Sequence, residues 1–177
     1  GWDHPTAVVW CALNTEEEIF YIYDCYRASK ASPSVHSAVI RSRPHFIPIA
    51  YPHDGNRRDS MGNPGLADQY RNLGCNFLLE HFTNPPALGN NKGSNSIEEG
   101  LMAMLQAIEA DKFKVFSTLS DWFEEFRMYH RKDNKVVPLR DDLMSATRYA
   151  FQSQRYAVAG KDPAWTQDVE YRNYGII

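Results

Sequence analysis

Apolar and polar positions fall into blocks whose period changes along the chain, and those changes mark out its elements. Thr6–Leu13 (TAVVWCAL) is β-branched and aromatic, which predicts a strand. Glu18–Tyr26 (EIFYIYDCY) predicts a second, and the short link Asn14-Thr15-Glu16-Glu17 predicts a hairpin between them. Ser32-Pro33 then offers an N-cap with proline at the first helical position. Val35, Ala38 and Val39 follow at helical spacing, and Pro44 stops that helix. Phe46–Tyr51 (FIPIAY) reads as a third strand, short and apolar. Its Pro48 removes a ladder donor and points to an edge or a bulge.

The second half continues the alternation. His53–Gly65 is a turn-rich loop, and Leu66–Leu73 is a short helix closed by Gly74. Cys75–Phe82 (CNFLLEHF) predicts a fourth strand, and Thr83–Asn95 is the most flexible-looking stretch. Ser96 and Glu99 form a capping box at the start of the clearest helix. Its expected apolar stripe is Ile97, Leu101, Leu105 and Ile108. Phe113–Phe116 (FKVF) predicts a fifth strand. Ser120–Arg131 predicts a helix with Trp122, Phe126 and Tyr129 on one side, and these read as core rather than as a base-stacking platform. Asn134–Pro138 reads as an extended connection and Asp141–Gln154 as a last helix. A hairpin opening an otherwise alternating β/α order implies an α/β fold with a mixed sheet flanked by helices. The expected organisation is one domain over residues 1–155 and a polar C-terminal tail over 156–177.

Composition narrows this only a little. The chain has 177 residues, 43% of them apolar, enough for a sizeable core without staples. Collagen, coiled coil and wholesale disorder are excluded, and the apolar runs are too short to span a membrane. The opening Gly1-Trp2-Asp3-His4 reads like the middle of a protein, which suggests an excised domain. Cys11, Cys25 and Cys75 lie in apolar runs without metal spacing, and read as small buried hydrophobes in a reducing cytosol. A formal charge of −3 argues mildly against a nucleic-acid binder.

Placement singles out a few acids. Asp3 precedes the first strand, Asp54 follows the third, and Asp141 and Asp142 begin the last helix. Strand ends and a helix start can converge at one sheet edge, and clustered carboxylates suit the hard cations Mg²⁺ and Mn²⁺. Two such ions can stabilise both the attacking and the leaving oxygen at a phosphodiester. Each acid also has a plain structural reading. Asp3 is then a turn residue, Asp54-Gly55 a turn dipeptide, and Asp141 or Asp142 a helix cap.

Three segments carry a resemblance. Gly1-Trp2-Asp3-His4-Pro5-Thr6-Ala7-Val8-Val9 resembles the opening strand of the nuclease domain in large terminase subunits of tailed bacteriophages. His53-Asp54-Gly55 is similar to that family's second acidic motif. The segment from Asp141-Asp142 to Tyr149-Ala150 is similar to its third. The resemblance covers about residues 1–155 and rests on the order and spacing of the motifs. It implies a ribonuclease H-like endonuclease that binds two Mg²⁺ or Mn²⁺ ions and cuts concatemeric double-stranded DNA during genome packaging. Asp3 would bridge the ions, Asp54 would hold one, and Asp141 and Asp142 the other. The family usually joins this domain to a packaging ATPase, but this chain has no G-x-x-x-x-G-K-[ST] loop. The ATPase domain, the small terminase subunit and the portal protein are the implied partners, and the host cytoplasm the implied location. Many members carry a further acid where this chain has Ser145.

Helical geometry separates the paired acids. Asp142 shares a face with Ala146, Tyr149 and Ala150, small enough residues on average for close packing on the sheet. Asp141 is rotated by about 100°. Arg57 and Arg58, close to Asp54, and Arg140, just before the paired acids, are the candidate DNA-backbone contacts. His53 reads as a loop histidine beside the site. Two other readings compete: another ribonuclease H-like nuclease, such as a Holliday-junction resolvase or a transposase-like enzyme, and a non-enzymatic packaging adaptor.

Overall fold

The structure is a computed structural model and describes residues 4–57, 62, 64–86, 88–89, 91–133 and 135–159. Strands β1 (Thr6–Asn14) and β2 (Ile19–Ala28) form the expected hairpin, antiparallel from Thr6↔Ala28 to Asn14↔Ile19. The register shifts between Trp10 and Cys11, a bulge that bends the hairpin. Strand β3 (Phe113–Val115) joins β2 in parallel, pairing Phe20 with Phe113 and Ile22 with Val115. The sheet is therefore mixed, in the order β1-β2-β3.

The expected strands at Phe46–Tyr51 and Cys75–Phe82 do not form ladders. They run side by side through one parallel bridge, Ile49↔Phe77. Ile49 donates to Asn76 O at 2.9 Å, Leu78 to Ile49 O at 2.9 Å, and Phe82 to Tyr51 O at 2.7 Å. Pro48 and Pro52 flank the paired residues Ile49 and Tyr51 and carry no amide donor, which disfavours a regular strand along this stretch. The extended connection instead becomes a small hairpin of β4 (Arg131–Lys132) and β5 (Lys135–Val136).

Helices α1 (Pro33–Ile40) and α2 (Leu66–Asn72) match their start and stop signals. They pack with Cys75 into a small cluster of Ile40 and Tyr70. Helix α3 (Ile97–Glu109) begins at Ser96, whose side chain accepts from the Glu99 amide. Its buried face is not the expected stripe. Ile97, Leu105 and Ile108 are 45%, 47% and 40% exposed, and Gly100 and Met104 point inward. The cause is Arg148, which lies across this helix. A Cβ on Gly100 would sit 2.7 Å from Arg148 Cγ and Cδ, so only the bare glycine position allows that approach.

The ends of the segment Thr83–Asn95 are tied together rather than loose. Buried Asn84 donates to Ser94 Oγ (3.0 Å), Ser96 O (2.8 Å) and Glu99 Oε2 (3.1 Å). Helix α4 (Ser120–Met128) buries Trp122, whose indole donates to Thr147 Oγ1 at 2.8 Å. Phe126 stacks on Trp122 but stays half exposed, so the aromatic face is only partly core. Helix α5 (Asp142–Gln152) lies against β1, β2, α3 and α4. Phe20, Ile22, Met104, Phe113, Leu119, Trp122, Leu143 and Met144 make the main core. The three cysteines are free thiols, Cys75 buried and the others half-buried. Burial pushes the thiols of Cys11 and Cys25 up. Residues 160–177, most of the expected tail, lie outside the described residues.

Candidate active site

The paired acids sit where the chain leaves the β4–β5 hairpin and enters α5. Arg140, at φ 51°, reverses the backbone, and Asp141 is the N-cap of α5. Asp141 does not cap with its side chain, so of its plain structural readings only the favourable placement at the helix dipole remains. The capping is done from another helix. Glu125 of α4, fully buried, accepts from the Leu143 amide at 2.7 Å and the Met144 amide at 3.3 Å. Its other oxygen takes Arg27 Nη1 at 2.5 Å. Sequence reasoning missed Glu125, because nothing local to α4 marks one acid among several as a partner for residues eighteen positions away.

Asp54 is presented by a short 3-10 turn, His53–Asn56. Tyr51 holds that turn from below. Its hydroxyl donates to Asn56 Oδ1 at 3.0 Å and accepts from Arg71 Nη2 at 2.9 Å. Gly55 lies against the Tyr51 ring, where a Cβ would approach to 2.8 Å. The Asp54-Gly55 dipeptide is thus a turn, as its structural reading has it, and the turn is fixed against α2.

Asp54, Asp141 and Asp142 line one large open cavity of about 1860 Å³. It is also lined by Ser145, Ala146, Tyr149 and Ala150 from the face of α5 that helical spacing assigned to Asp142. Tyr149 lies within the field of both sides of the cavity. Burial pushes its phenol up, the Arg148 guanidinium opposes this, and the Asp54 and Asp141 carboxylates push it further up. Asp142 is also raised, first by burial and then by the Asp141 charge, with Arg27 and His4 opposing. Among the described residues none of Asp54, Asp141 and Asp142 takes part in an ion pair. Two adjacent, half-buried carboxylates that make no ion pair among the described residues are a hard-oxygen donor set that favours a divalent cation. Among the described residues no three His, Cys, Asp or Glu side chains are gathered closely enough to hold an ion by themselves.

The other candidates divide. Asp3 and Arg58 lie outside the described residues. His4 and Pro5 line the same cavity as the three acids. Arg57 is exposed just after the Asp54 turn. Arg140 is exposed, bonded to Glu124 at 2.7 Å, and lines a second cavity of about 590 Å³ with Arg27, His4, Asp141 and Asp142. The paired acids therefore stand between the two cavities. His53 is exposed, 6.4 Å from the ring of His81. Asp24 of β2 pairs with Arg43.

A hairpin extended by a parallel strand, with an acid-bearing helix across it, defines an α/β domain of the ribonuclease H-like class. The chain belongs to the family described as "Terminase RNaseH-like domain", whose pattern matches residues 1–154. It is 34% identical over 163 residues to the large terminase subunit of Salmonella phage P22, covering 92% of this chain and 32% of that protein. The same identity over 152 residues relates it to the large terminase subunit of Enterobacteria phage LP7, covering 85% of this chain and 31% of the relative. Among solved structures, that of the P22 large terminase nuclease domain superposes with a TM-score of 0.77 at 33% identity. That match covers 88% of this chain and 78% of the other. The chain spans about a third of the length of these curated relatives. The expected family and fold class are borne out, and the family sets the chain apart from resolvases and transposases.

Proposed function

We propose that this chain is the endonuclease part of a viral DNA-packaging terminase large subunit, and that it hydrolyses phosphodiester bonds of concatemeric double-stranded DNA. The observation that carries this reading is the convergence of Asp54, Asp141 and Asp142 on one cavity from elements far apart in sequence. An adaptor whose acids only cap and turn gives no reason for such convergence. The similarity to a solved domain named as a terminase nuclease supports the same reading.

The site acids are Asp3, Asp54, Asp141 and Asp142. Asp3 immediately precedes His4, which lines the cavity with the other three. Two Mg²⁺ or Mn²⁺ ions, when bound, supply Lewis acidity at the phosphodiester and a nucleophile at neutral pH. Asp54 holds its side of the cavity from the rigid 3-10 turn, and Asp141 and Asp142 hold the other from the start of α5. The small side chains of Ser145 and Ala146 leave room in front of the acids for a phosphate. Arg57, Arg58 and Arg140 form the rim that binds backbone phosphates and carries little sequence preference. Residues 1–155 form the nuclease unit and 156–177 a tail. The packaging ATPase domain, the small terminase subunit and the portal protein are the partners, in the cytoplasm of the host. Among the described residues no helix is long and apolar enough to cross a membrane.

The test is plasmid cleavage with Mn²⁺, Mg²⁺ or EDTA, comparing the wild type with Asp3→Ala and Asp142→Ala. Cleavage should need the metal and fall by at least about 10²-fold in both variants, on the scale of a lost transition-state contact. Full activity in either variant, or activity in EDTA, removes the metal assignment.

A further inference from the structure

The Glu125 carboxylate is in an unusual position. It is fully buried, yet it belongs to neither cavity. One oxygen is bonded to Arg27, a β2 residue opposite Ala7 of β1, and the other to the amides of Leu143 and Met144 in the first turn of α5. A helix start leaves four amides without partners, and an aspartate at the N-cap ordinarily folds back to take one. Here Asp141 occupies the N-cap and makes no such bond.

We propose that Glu125 is a positioning residue: a helix cap supplied by α4 and fixed to the sheet by Arg27, which releases the Asp141 carboxylate for the cavity and sets the distance of Asp141 and Asp142 from the β1–β2 hairpin. The chain of contacts runs from β2 through Arg27 and Glu125 to Leu143, the residue next to Asp142. Each link is a charge-assisted hydrogen bond, the kind that best holds one geometry. The buried negative charge also sits at the positive end of the α5 dipole, which stabilises that end of the helix. Without Glu125, Asp141 at the N-cap is placed to accept from the freed amides of Leu143 and Met144. It would turn inward and leave the cavity with one carboxylate fewer. The inference rests on the metal-site reading above for its consequence, but not for the cap itself.

Two measurements on the full chain separate these layers. Amide exchange by NMR reads the cap, and calorimetric titration with Mn²⁺ alone reads the site. In Glu125→Gln, one amide oxygen cannot serve both Arg27 and the helix. Exchange at Leu143 and Met144 should speed up at least about tenfold, and Mn²⁺ affinity should fall about 10–100-fold, the usual cost of losing an outer-shell partner. Ile22→Val is the control for stability alone: it removes a methyl from the core and should leave Mn²⁺ affinity unchanged. If Glu125→Gln does not fold, Arg27→Lys carries the test. It keeps the charge, loses the planar fork, and should cost about three- to tenfold in Mn²⁺ affinity. Unchanged exchange at Leu143 and Met144 overturns the cap. Faster exchange with unchanged Mn²⁺ affinity overturns the positioning role and leaves a structural cap. If the wild type binds no Mn²⁺, the metal-site reading fails and the positioning role with it, while the exchange result still decides the cap.

Discussion

His36 shows how much a single buried ring commits the fold. It lies in α1, almost wholly covered, with its Nδ1 3.0 Å from the Tyr26 hydroxyl. Burial holds its pKa below the ordinary 6.5, with a bond to Ala31 opposing. A histidine kept neutral in the fold protonates more readily in the unfolded chain. Stability is therefore full above about pH 6.5 and falls as the pH drops below that value toward the folded pKa. The urea midpoint of the wild type should fall more steeply between pH 7 and 5 than that of His36→Gln. Equal slopes would show that His36 has no part in acid sensitivity. At this scale the sequence was readable where a residue acts through its own helix. Asp142, Ala146, Tyr149 and Ala150 share a face by spacing alone, and all four line the cavity. Glu125 was not readable, because its meaning lies in Arg27 and Leu143, distant in sequence and brought to it by the tertiary fold.

Among the elements, α3 separates what local pattern decides from what packing decides. Its start was legible in the Ser96–Glu99 box, but its orientation was not. The largest apolar residues suggested one face, and Arg148 selected another where glycine gives room. Gly100→Ala tests which effect wins. Alanine favours a helix interior by about 1 kcal/mol over glycine. Against this, the added Cβ must displace the stem of a buried arginine held over the rings of Phe82 and Tyr149, an overpacking that costs about 1–3 kcal/mol. Net destabilisation of up to about 2 kcal/mol by urea unfolding is expected, and a gain in stability would show that Arg148 moves aside freely. The strands illustrate the same division. β1 and β2 satisfy each other locally and were found nearly to the residue. Phe46–Tyr51 and Cys75–Phe82 have strand composition but meet in a single bridge, with Pro48 inside the first segment and Pro52 just after it.

For the molecule as a whole, charge location matters more than charge sum. The −3 balance counted against DNA, yet part of it is the acids gathered on the cavity. On the proposed reading those acids repel a phosphate backbone when no divalent cation is bound, and the proposed rim of Arg57, Arg58 and Arg140 only partly compensates. Binding to a duplex with phosphorothioate linkages, followed by fluorescence anisotropy, should therefore tighten about tenfold or more when Mn²⁺ replaces EDTA, a gain of about 1.4 kcal/mol. Affinity should also weaken with added salt. Equal affinity in Mn²⁺ and EDTA would place the DNA elsewhere on the surface.

The buried thiols have a practical consequence. Cys11, Cys25 and Cys75 are shielded or hard to ionise, so all three should react slowly with maleimides at neutral pH. A cysteine introduced at Leu79, whose side chain is 88% exposed, would then be labelled alone in the native background. A fluorophore placed there could report its distance to one on a duplex end, turning the proposed path of DNA over the two cavities into a measurable length.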